Sequence, residues 1–296
     1  PDAGASLTYS LVDSNGAKDE GLLSIDSSTG VVAFISAPNF ETPADVGADN
    51  KIEFSVLVSD GSLEVSQDYS FSITNVNEAP TISTSSFSIA EGSTAIGTIA
   101  ASDPDASSTL SYTISGTDSS KFSINASSGA VAFLSPPNFE SPTDNGLDNT
   151  YNFTVTVSDG SLSSSQSIAV AVGNVNEAPS FSIASAQSYV ENSGATISVA
   201  ANDPDASSSL TYTLSGTDAS KFTISSSGVL SFSSAPDYEA PSDSGSNNVF
   251  NVSVAVSDGV NSSSVALVIS LTDDTSDNFG IRLPAQVALA ELKKES

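Results

Sequence analysis

A block of about 99 residues occurs three times in this chain of 296 residues, and a tandem repeat of that length restricts the fold to a row of similar modules. Ser-Asp-Gly stands at residues 59–61, 158–160 and 257–259. Asn-Val-Asn-Glu-Ala-Pro stands at residues 75–80 and 174–179. We therefore divide the chain into repeat 1 (residues 1–78), repeat 2 (79–177) and repeat 3 (178–274). Residues 275–296 form a tail or a linker to a further module, and repeat 1 lacks its first strands.

Apolar and polar residues alternate before each Ser-Asp-Gly, a period of two that is typical of a half-buried strand. The apolar positions are Ile52, Phe54, Val56 and Val58, then Tyr151, Phe153, Val155 and Val157, then Phe250, Val252, Val254 and Val256. The last strand of repeat 1 is predicted to point Tyr69, Phe71 and Ile73 inward. Several short strands separated by Gly, Ser, Asn and Pro predict an all-β fold of tandem Greek-key β-sandwiches with immunoglobulin-like architecture, in an extended array.

Composition excludes several classes of function. With 7 basic and 35 acidic residues, the formal charge is −28, which disfavours nucleic acid and anionic membranes as partners. Cysteine, histidine, methionine and tryptophan are absent, so neither a disulfide nor a thiolate or imidazole metal ligand can form. Only oxygen ligands for hard cations remain. No apolar run approaches the length of about 18 residues that a membrane span needs.

Acidic motifs recur near the ends of the repeats. Asn-Phe-Glu at residues 39–41 and 138–140 becomes Asp-Tyr-Glu at 237–239, and Asp-Pro-Asp stands at 103–105 and 203–205. Ca²⁺ takes six to eight oxygen ligands from carboxylates and carbonyls. Carboxylates a few ångströms apart repel one another strongly when no cation is present. The motifs therefore predict an ion that holds neighbouring modules together.

In their order along each repeat, these motifs resemble the calcium motifs of the cadherin-like family. More narrowly, the chain resembles the cadherin-like tandem repeats of large bacterial surface adhesins, over residues 1 to about 277. The resemblance implies calcium at each junction, with ligands from the upstream module, the linker and the downstream module. Asparagine replaces the family's aspartate at Asn39, Asn75, Asn138 and Asn174, and glutamate replaces it at Glu78 and Glu177.

Carried over by position, the resemblance assigns calcium ligands at two junctions and at two ends. For the junction of repeats 1 and 2 they are Asn39, Glu41, Asn75, Asn77, Glu78, Asp103, Asp105 and Asp159. For the junction of repeats 2 and 3 they are Glu91, Asn138, Glu140, Asn174, Asn176, Glu177, Asp203, Asp205 and Asp258. Half-sites at the two ends use Asp2 and Asp60, and Glu191, Asp237, Glu239, Asp273 and Asp274.

A simpler interpretation of some of these residues is turn chemistry. Asp and Asn favour turns through local hydrogen bonds, and Asp60, Asp159 and Asp258 each precede a glycine in what could be a hairpin turn. The acidic loops at residues 45–50, 144–149 and 243–248 are interpreted as solvated turns.

The expected function is a calcium-rigidified extracellular spacer or stalk of a cell-surface adhesin. We expect no catalysis, because no histidine or cysteine can act as base or nucleophile and the acidic motifs are repeated. The expected partners are calcium, adjacent repeats of the same polypeptide, and glycans or like modules at the cell surface. The alternative is a module that itself contacts the ligand, by carbohydrate binding or by homophilic adhesion.

Overall fold

The computed structural model describes residues 6–12, 18–106, 108–205 and 209–275. The chain divides into two compact units: unit 1 comprises residues 1–137 and 142–173, and unit 2 comprises residues 138–141 and 174–296. Asp2 and residues 276–296 of the tail lie outside the described residues. Among the described residues, no helix is both long and apolar enough to span a bilayer.

The described part of unit 1 contains fourteen strands, which alternate with turns and two short 3₁₀ turns at Glu20–Leu22 and Ser119–Lys121. The first five are β1 (Thr8–Val12), β2 (Leu23–Ile25), β3 (Val32–Phe34), β4 (Lys51–Ser59) and β5 (Glu64–Ser72). The others are β6 (Thr81–Ile82), β7 (Ser86–Ala90), β8 (Ala95–Thr98), β9 (Ala101–Ser102), β10 (Ser111–Ser115), β11 (Phe122–Ile124), β12 (Ala130–Phe133), β13 (Thr150–Ser158) and β14 (Ser163–Gly173).

Unit 1 holds two layered arrangements of these strands. In the first, the sheet β1-β4-β5 accompanies the pair β2-β3. In the second, the sheet β10-β13-β14-β7 accompanies the sheet β11-β12-β8 and the pair β6-β9. Strand β7 is parallel to β14, whereas β13 and β14 form a long antiparallel hairpin.

Unit 2 repeats the second arrangement. Its strands are β15 (Ser180–Phe181), β16 (Ala186–Val190), β17 (Ile197–Ser198), β18 (Ala201–Asn202), β19 (Thr211–Ser215), β20 (Phe222–Ile224), β21 (Val229–Phe232), β22 (Val249–Ser257) and β23 (Ser262–Thr272), with a 3₁₀ turn at Ala219–Lys221. The sheets are β16-β23-β22-β19, β17-β21-β20 and β15-β18, and β16 is parallel to β23. The predicted all-β sandwich fold is confirmed.

The alternating positions of β13 and β22 form the cores of the complete sandwiches. Tyr151, Val155, Phe250 and Val254 are at most 1% exposed. Rings from the facing sheet pack against them, and the centroids of Phe133 and Tyr151 lie 4.9 Å apart. Period-two patterning therefore predicted both the strands and their buried faces, because one face of each strand must be apolar to cover the other sheet.

The side chains predicted to point inward at the end of repeat 1 do lie on the inner face, where Ile73 packs against the core, but Tyr69 and Phe71 are not buried. Tyr69 is 51% exposed and Phe71 is 40% exposed, and the other residues of β5 are exposed as well. The side chains do stack on Phe54 of β4, with ring centroids of Tyr69 and Phe54 5.5 Å apart. They remain exposed because, among the described residues, the layer opposite β1-β4-β5 consists only of β2 and β3.

A pair of buried aspartates recurs in all three repeats, and the interpretation of the acidic loops as solvated turns is wrong for the first residue of each loop. In repeat 2, Asp118 is 4% exposed and Asp144 is 2% exposed. The Oδ1 and Oδ2 atoms of Asp118 accept the backbone N–H groups of Asn145 and Asn152 at 2.9 and 2.8 Å. The carboxylate of Asp144 accepts N–H groups within its own loop, at 2.9 Å from Gly146. The same pairing is formed by Asp19 with Asp45 and by Asp218 with Asp243.

These bonds lower the pKa of Asp144. Burial acts to raise the pKa, but the N–H donors of Asp148 and Asn149 outweigh burial, so the pKa lies below its usual value. Hydrogen bonds to the charged form explain the direction. The loop also holds Leu147 and Asn149 at φ values of 53° and 63°, a left-handed conformation that costs energy outside glycine. The buried carboxylate therefore holds a strained loop in place.

We predict that Asp144→Ala lowers the free energy of unfolding of unit 1 by about 1–3 kcal/mol, because it leaves buried N–H groups without an acceptor. Since folding lowers the pKa of Asp144, its stabilisation is complete above the unfolded value of about 3.9 and is lost as the pH falls through the folded value. The difference in the free energy of unfolding between Asp144→Ala and the parent chain should therefore become smaller below pH 4. Urea unfolding at several pH values measures it.

The matched control is Asp148→Ala, in the same loop, because Asp148 is exposed and accepts one N–H group, from Thr150. This variant should change stability by less than about 0.5 kcal/mol. If both variants lowered the free energy of unfolding by the same amount, the buried carboxylate of Asp144 would not be what holds the loop.

Candidate metal site

Three carboxylates from different parts of unit 1 meet at the boundary between repeats 1 and 2. Glu41 lies in the loop after β3, Glu78 lies in the linker after β5, and Asp105 follows β9. One oxygen of each lies within 4.8 Å of the others, and all three residues are half-buried. The sequence motifs named all three residues, and the fold places them together as the resemblance implies.

Asp105 fixes the linker. Its Oδ2 atom accepts the backbone N–H of Glu78 at 2.9 Å, and its Oδ1 atom accepts the side-chain amide of Asn75 at 2.6 Å. The backbone N–H of Asp105 in turn donates to Oδ1 of Asp103 at 2.9 Å. The asparagine that replaces the family's aspartate thus donates to a carboxylate, which an aspartate at that position could not do at neutral pH.

A second linker contact uses Asp159. The side-chain amide of Asn77 donates to Oδ2 of Asp159 at 2.8 Å. The Oδ1 atom of Asp159 accepts the N–H groups of Ser161 and Leu162 at 2.6 and 2.7 Å, and these bonds, with that of Asn77, lower the pKa of Asp159. One oxygen of Asp159 therefore accepts hydrogen bonds within its own turn, and the other accepts a hydrogen bond from the linker.

Three oxygens at this boundary lack a hydrogen-bond donor. Oε1 of Glu41, Oε2 of Glu78 and Oδ2 of Asp103 are buried and have no partner among the described residues. Burial raises the pKa of Glu78, and the negative charges of Glu41, Asp105 and Asp103 raise it further. Buried polar atoms are nearly always paired, so such oxygens require a cation or a proton. A set of carboxylate and amide oxygens with no nitrogen or sulfur ligand suits Ca²⁺.

Unit 2 reproduces the linker contacts. Asp205 accepts the side-chain amide of Asn174 and the backbone N–H of Glu177, both at 2.8 Å. Asp258 accepts the amide of Asn176 at 2.7 Å. In addition, Asn261 donates to the backbone carbonyl of Asn176 at 2.7 Å. The contact of Asn261 was not predicted, because this asparagine has no counterpart in the other repeats and so carries no repeat signal.

Glu140 and Glu177 form the acidic part of this region of unit 2. Their carboxylates approach to within 4.8 Å, and Oε2 of Glu140 is buried with no partner among the described residues. The Oδ1 atom of Asp203 accepts the N–H of Asp205 at 2.9 Å, as Asp103 does in unit 1. Glu91 belongs to unit 1, where it is 9% exposed and donates its backbone N–H to Gly173.

A third cluster lies at the other end of unit 2. Glu191, Asp237 and Glu239 offer oxygens within 4.8 Å of one another. Glu191 is 1% exposed, and its two oxygens accept the N–H groups of Tyr238 and Asp274 at 2.6 and 3.0 Å. Asp273 and Asp274 are half-buried and lie outside this cluster of three.

The remaining predicted ligands have local partners. Asn39 accepts the N–H groups of Glu41 and Thr42 at 2.8 and 3.1 Å, and Asn138 accepts that of Ser141 at 2.6 Å. Asp60 accepts two N–H groups of its own hairpin turn and belongs to none of the three clusters. These side chains order the loops that carry the glutamates.

Comparisons with known proteins agree with this architecture. Residues 85–175 match the model of the Cadherin domain family. The fold resembles the crystal structure of human CDH23 EC21-23, with a TM-score of 0.61 and 20% identity over 90% of each chain. It also resembles the protocadherin gamma B2 extracellular cadherin domains 3-6, with a TM-score of 0.53 and 22% identity over 91% of this chain and 68% of that one. No curated protein matches the chain. The architecture is therefore a tandem array of cadherin-like β-sandwich domains.

We predict that Glu78→Gln raises the melting temperature of the metal-free chain at pH 7. Because the pKa of Glu78 is raised in the folded chain, its ionised form opposes folding once the pH exceeds that value, and glutamine removes the charge. The increase in melting temperature should be smaller at about 1 M salt, where the screening length falls to about 3 Å. Calorimetry in excess chelator measures it.

Glu64→Gln is the control, since Glu64 is an exposed carboxylate on β5 outside the cluster. It should leave the melting temperature unchanged. A lower melting temperature for Glu78→Gln in chelator would contradict repulsion at this boundary.

Proposed function

We propose that this chain is a calcium-rigidified extracellular spacer: three cadherin-like modules, corresponding to the three repeats, joined by calcium-binding junctions. The observation that carries the proposal is the cluster of Glu41, Glu78 and Asp105. Its members come from the upstream module, the linker and the downstream module, so a cation bound by all three would connect these parts.

At the first junction we propose Glu41, Glu78, Asp103 and Asp105 as the main calcium ligands. Three of them carry buried oxygens without hydrogen-bond partners among the described residues. Bound calcium would supply the positive charge that neutralises the cluster. Asn75 and Asn77 already use their amide groups to hold Asp105 and Asp159, so their first role is to fix the linker that presents Glu78.

At the second junction and at the end of unit 2, we likewise separate the proposed calcium ligands from the residues that fix the linker. For the second junction we propose Glu140, Glu177, Asp203, Asp205 and Asp258 of unit 2, while Glu91 of unit 1 stays a prediction from the sequence resemblance. A further half-site would use Glu191, Asp237 and Glu239, with Asp273 and Asp274 beside it. The repetition of the linker contacts at Asp105 and Asp205 supports one construction for both junctions.

The proposed task is mechanical. Calcium-dependent stiffening suits an exported stalk, since extracellular calcium is plentiful enough for weak sites, and the likeness to extracellular cadherin domains agrees with that location. A stalk of a cell-surface adhesin, bacterial as the sequence resemblance implies, would project another domain without catalysing a reaction. Carbohydrate binding and homophilic adhesion, the sequence-based alternatives, have no observation that favours them.

Calcium titration by calorimetry tests the proposal. We expect saturable binding to the parent chain, and a loss of about tenfold or more in affinity at one junction for Glu41→Gln, which keeps the shape of the side chain and removes one ligand charge. Saturating calcium at 100 times the dissociation constant should stabilise the parent by about 2.7 kcal/mol.

The control Glu64→Gln should titrate as the parent does, because Glu64 is exposed and lies outside the acidic clusters. An absence of saturable binding at millimolar calcium would refute the proposal. If Glu41→Gln bound calcium with the same affinity as the parent chain, the proposed calcium site at the first junction would be refuted.

A further inference from the structure

One asparagine in the strained loop at residues 144–149 has a free side chain and a glycine as its next residue. Asn145 precedes Gly146, and both residues are exposed. Within the described part of the chain, Asn145 makes one hydrogen bond, from its backbone N–H to Oδ1 of Asp118. Its side-chain amide is therefore free to rotate. Glycine has no β-carbon, so nothing hinders a close approach of that amide to the backbone nitrogen of Gly146.

The backbone nitrogen of Gly146 lies next to a proton acceptor. Its N–H donates to Oδ2 of Asp144 at 2.9 Å. This distance lies within the range of about 2.6–3.2 Å over which a side chain can take a proton directly. Although burial acts to raise the pKa of Asp144, its hydrogen bonds lower it, so the carboxylate is ionised at neutral pH. A carboxylate is thus in place to accept the proton of the Gly146 nitrogen.

The aspartates that precede a glycine are held differently. One oxygen each of Asp60, Asp159 and Asp258 accepts two backbone N–H groups of its own turn. These bonds keep the side chain from rotating toward the backbone nitrogen of the glycine. Asn15 also precedes a glycine, but it lies outside the described residues. Among the described residues, Asn145 is therefore the side chain with both the chemistry and the freedom to react.

We propose that Asn145 is a site of spontaneous deamidation, and that the product releases the loop at residues 144–149 from the core of repeat 2. The backbone nitrogen of Gly146 attacks Cγ of Asn145, and its proton goes to the carboxylate of Asp144. Water protonates the departing nitrogen, ammonia leaves, and a succinimide ring remains. Water then opens the ring at either carbonyl, which gives aspartate or isoaspartate at position 145, and Asp144 returns its proton to the solvent.

Isoaspartate at position 145 disturbs the pair of buried aspartates. Its backbone runs through the former side chain and is longer by one methylene group. The N–H groups of Asn145 and Gly146, which flank this insertion, donate to Asp118 and Asp144 at 2.9 Å each. The added length moves the two donors relative to each other, so both hydrogen bonds cannot keep their geometry. A buried carboxylate that loses a donor destabilises the folded module.

Unit 2 contains the same loop without the asparagine and so provides a matched control. Ser244 stands at the position that corresponds to Asn145, and a glycine follows it. The N–H of Ser244 donates to Oδ1 of Asp218 at 2.7 Å, and the N–H of Gly245 donates to Oδ2 of Asp243 at 2.9 Å. Serine is therefore compatible with this loop, and Asn145→Ser removes the reactive amide while the backbone contacts are kept.

The test incubates the full chain in mildly alkaline buffer with excess chelator, so the result does not depend on calcium. Peptide mapping with electron-transfer fragmentation follows each asparagine and distinguishes aspartate from isoaspartate. We expect Asn145 to deamidate about tenfold or more faster than any other described asparagine, with isoaspartate among the products. The isoaspartate form, separated by anion exchange, should melt about 4 °C or more below the unmodified chain. Asn145→Ser should melt as the fresh parent chain does and should keep its melting temperature throughout the incubation.

Two results would overturn the proposal. The first is a rate of deamidation at Asn145 no higher than at the other described asparagines. The second is an isoaspartate form with the same melting temperature as the unmodified chain. A melting temperature that falls during incubation by the same amount in Asn145→Ser as in the parent chain would also overturn it, because the loss would then arise elsewhere.

Discussion

Carboxylate oxygens at the boundary between repeats 1 and 2 outnumber the hydrogen-bond donors that reach them, and this excess of negative charge determines how the boundary behaves. Glu41, Glu78 and Asp103 each keep a buried oxygen without a partner among the described residues. Glu78 cannot move away from the other carboxylates without a loss of hydrogen bonds, because the backbone N–H of Glu78 and the side-chain amide of Asn75 both donate to Asp105. The charges are therefore held close together, and the proposed cation would relieve their repulsion.

The chain uses carboxylates in two distinct ways. Asp118 and Asp144 lie inside a sandwich and are saturated by backbone N–H groups, so they stabilise their module with no metal. Glu41 and Glu78 lie at a boundary and lack such donors. Under the proposed function, removal of calcium should loosen the connections between modules and leave each module folded. Such a division suits a spacer, whose modules must persist while the stiffness of the joints depends on the ion.

The sequence predicted most of the fold because the strands are long enough to show their period. Tyr151 and Phe250 were placed correctly by alternation alone. Alternation also assigned Tyr69 and Phe71 to an inner face, where both rings contact Phe54. Alternation carries no information about whether another layer covers that face, and both side chains remain exposed.

The site was predicted only in part, for a similar reason. Repetition at constant spacing identified Glu41, Glu78 and Asp105, and the fold brings them together. The role of Asp144 was missed because an aspartate before Asn-Gly is also typical of an exposed turn, and only long-range packing buries it. The contacts of Asn75 and Asn77 with Asp105 and Asp159 depend on how linker and module meet, which no local pattern contains.

Small-angle X-ray scattering of the chain, first in millimolar calcium and then in excess chelator, tests the central claim most directly. The account predicts a stiff, elongated particle in calcium whose pair-distance distribution becomes that of a flexibly jointed chain in chelator, while the circular dichroism of the folded modules is retained. Scattering profiles that superpose in the two conditions would contradict it, and the acidic motifs would then serve only as turns and linker contacts.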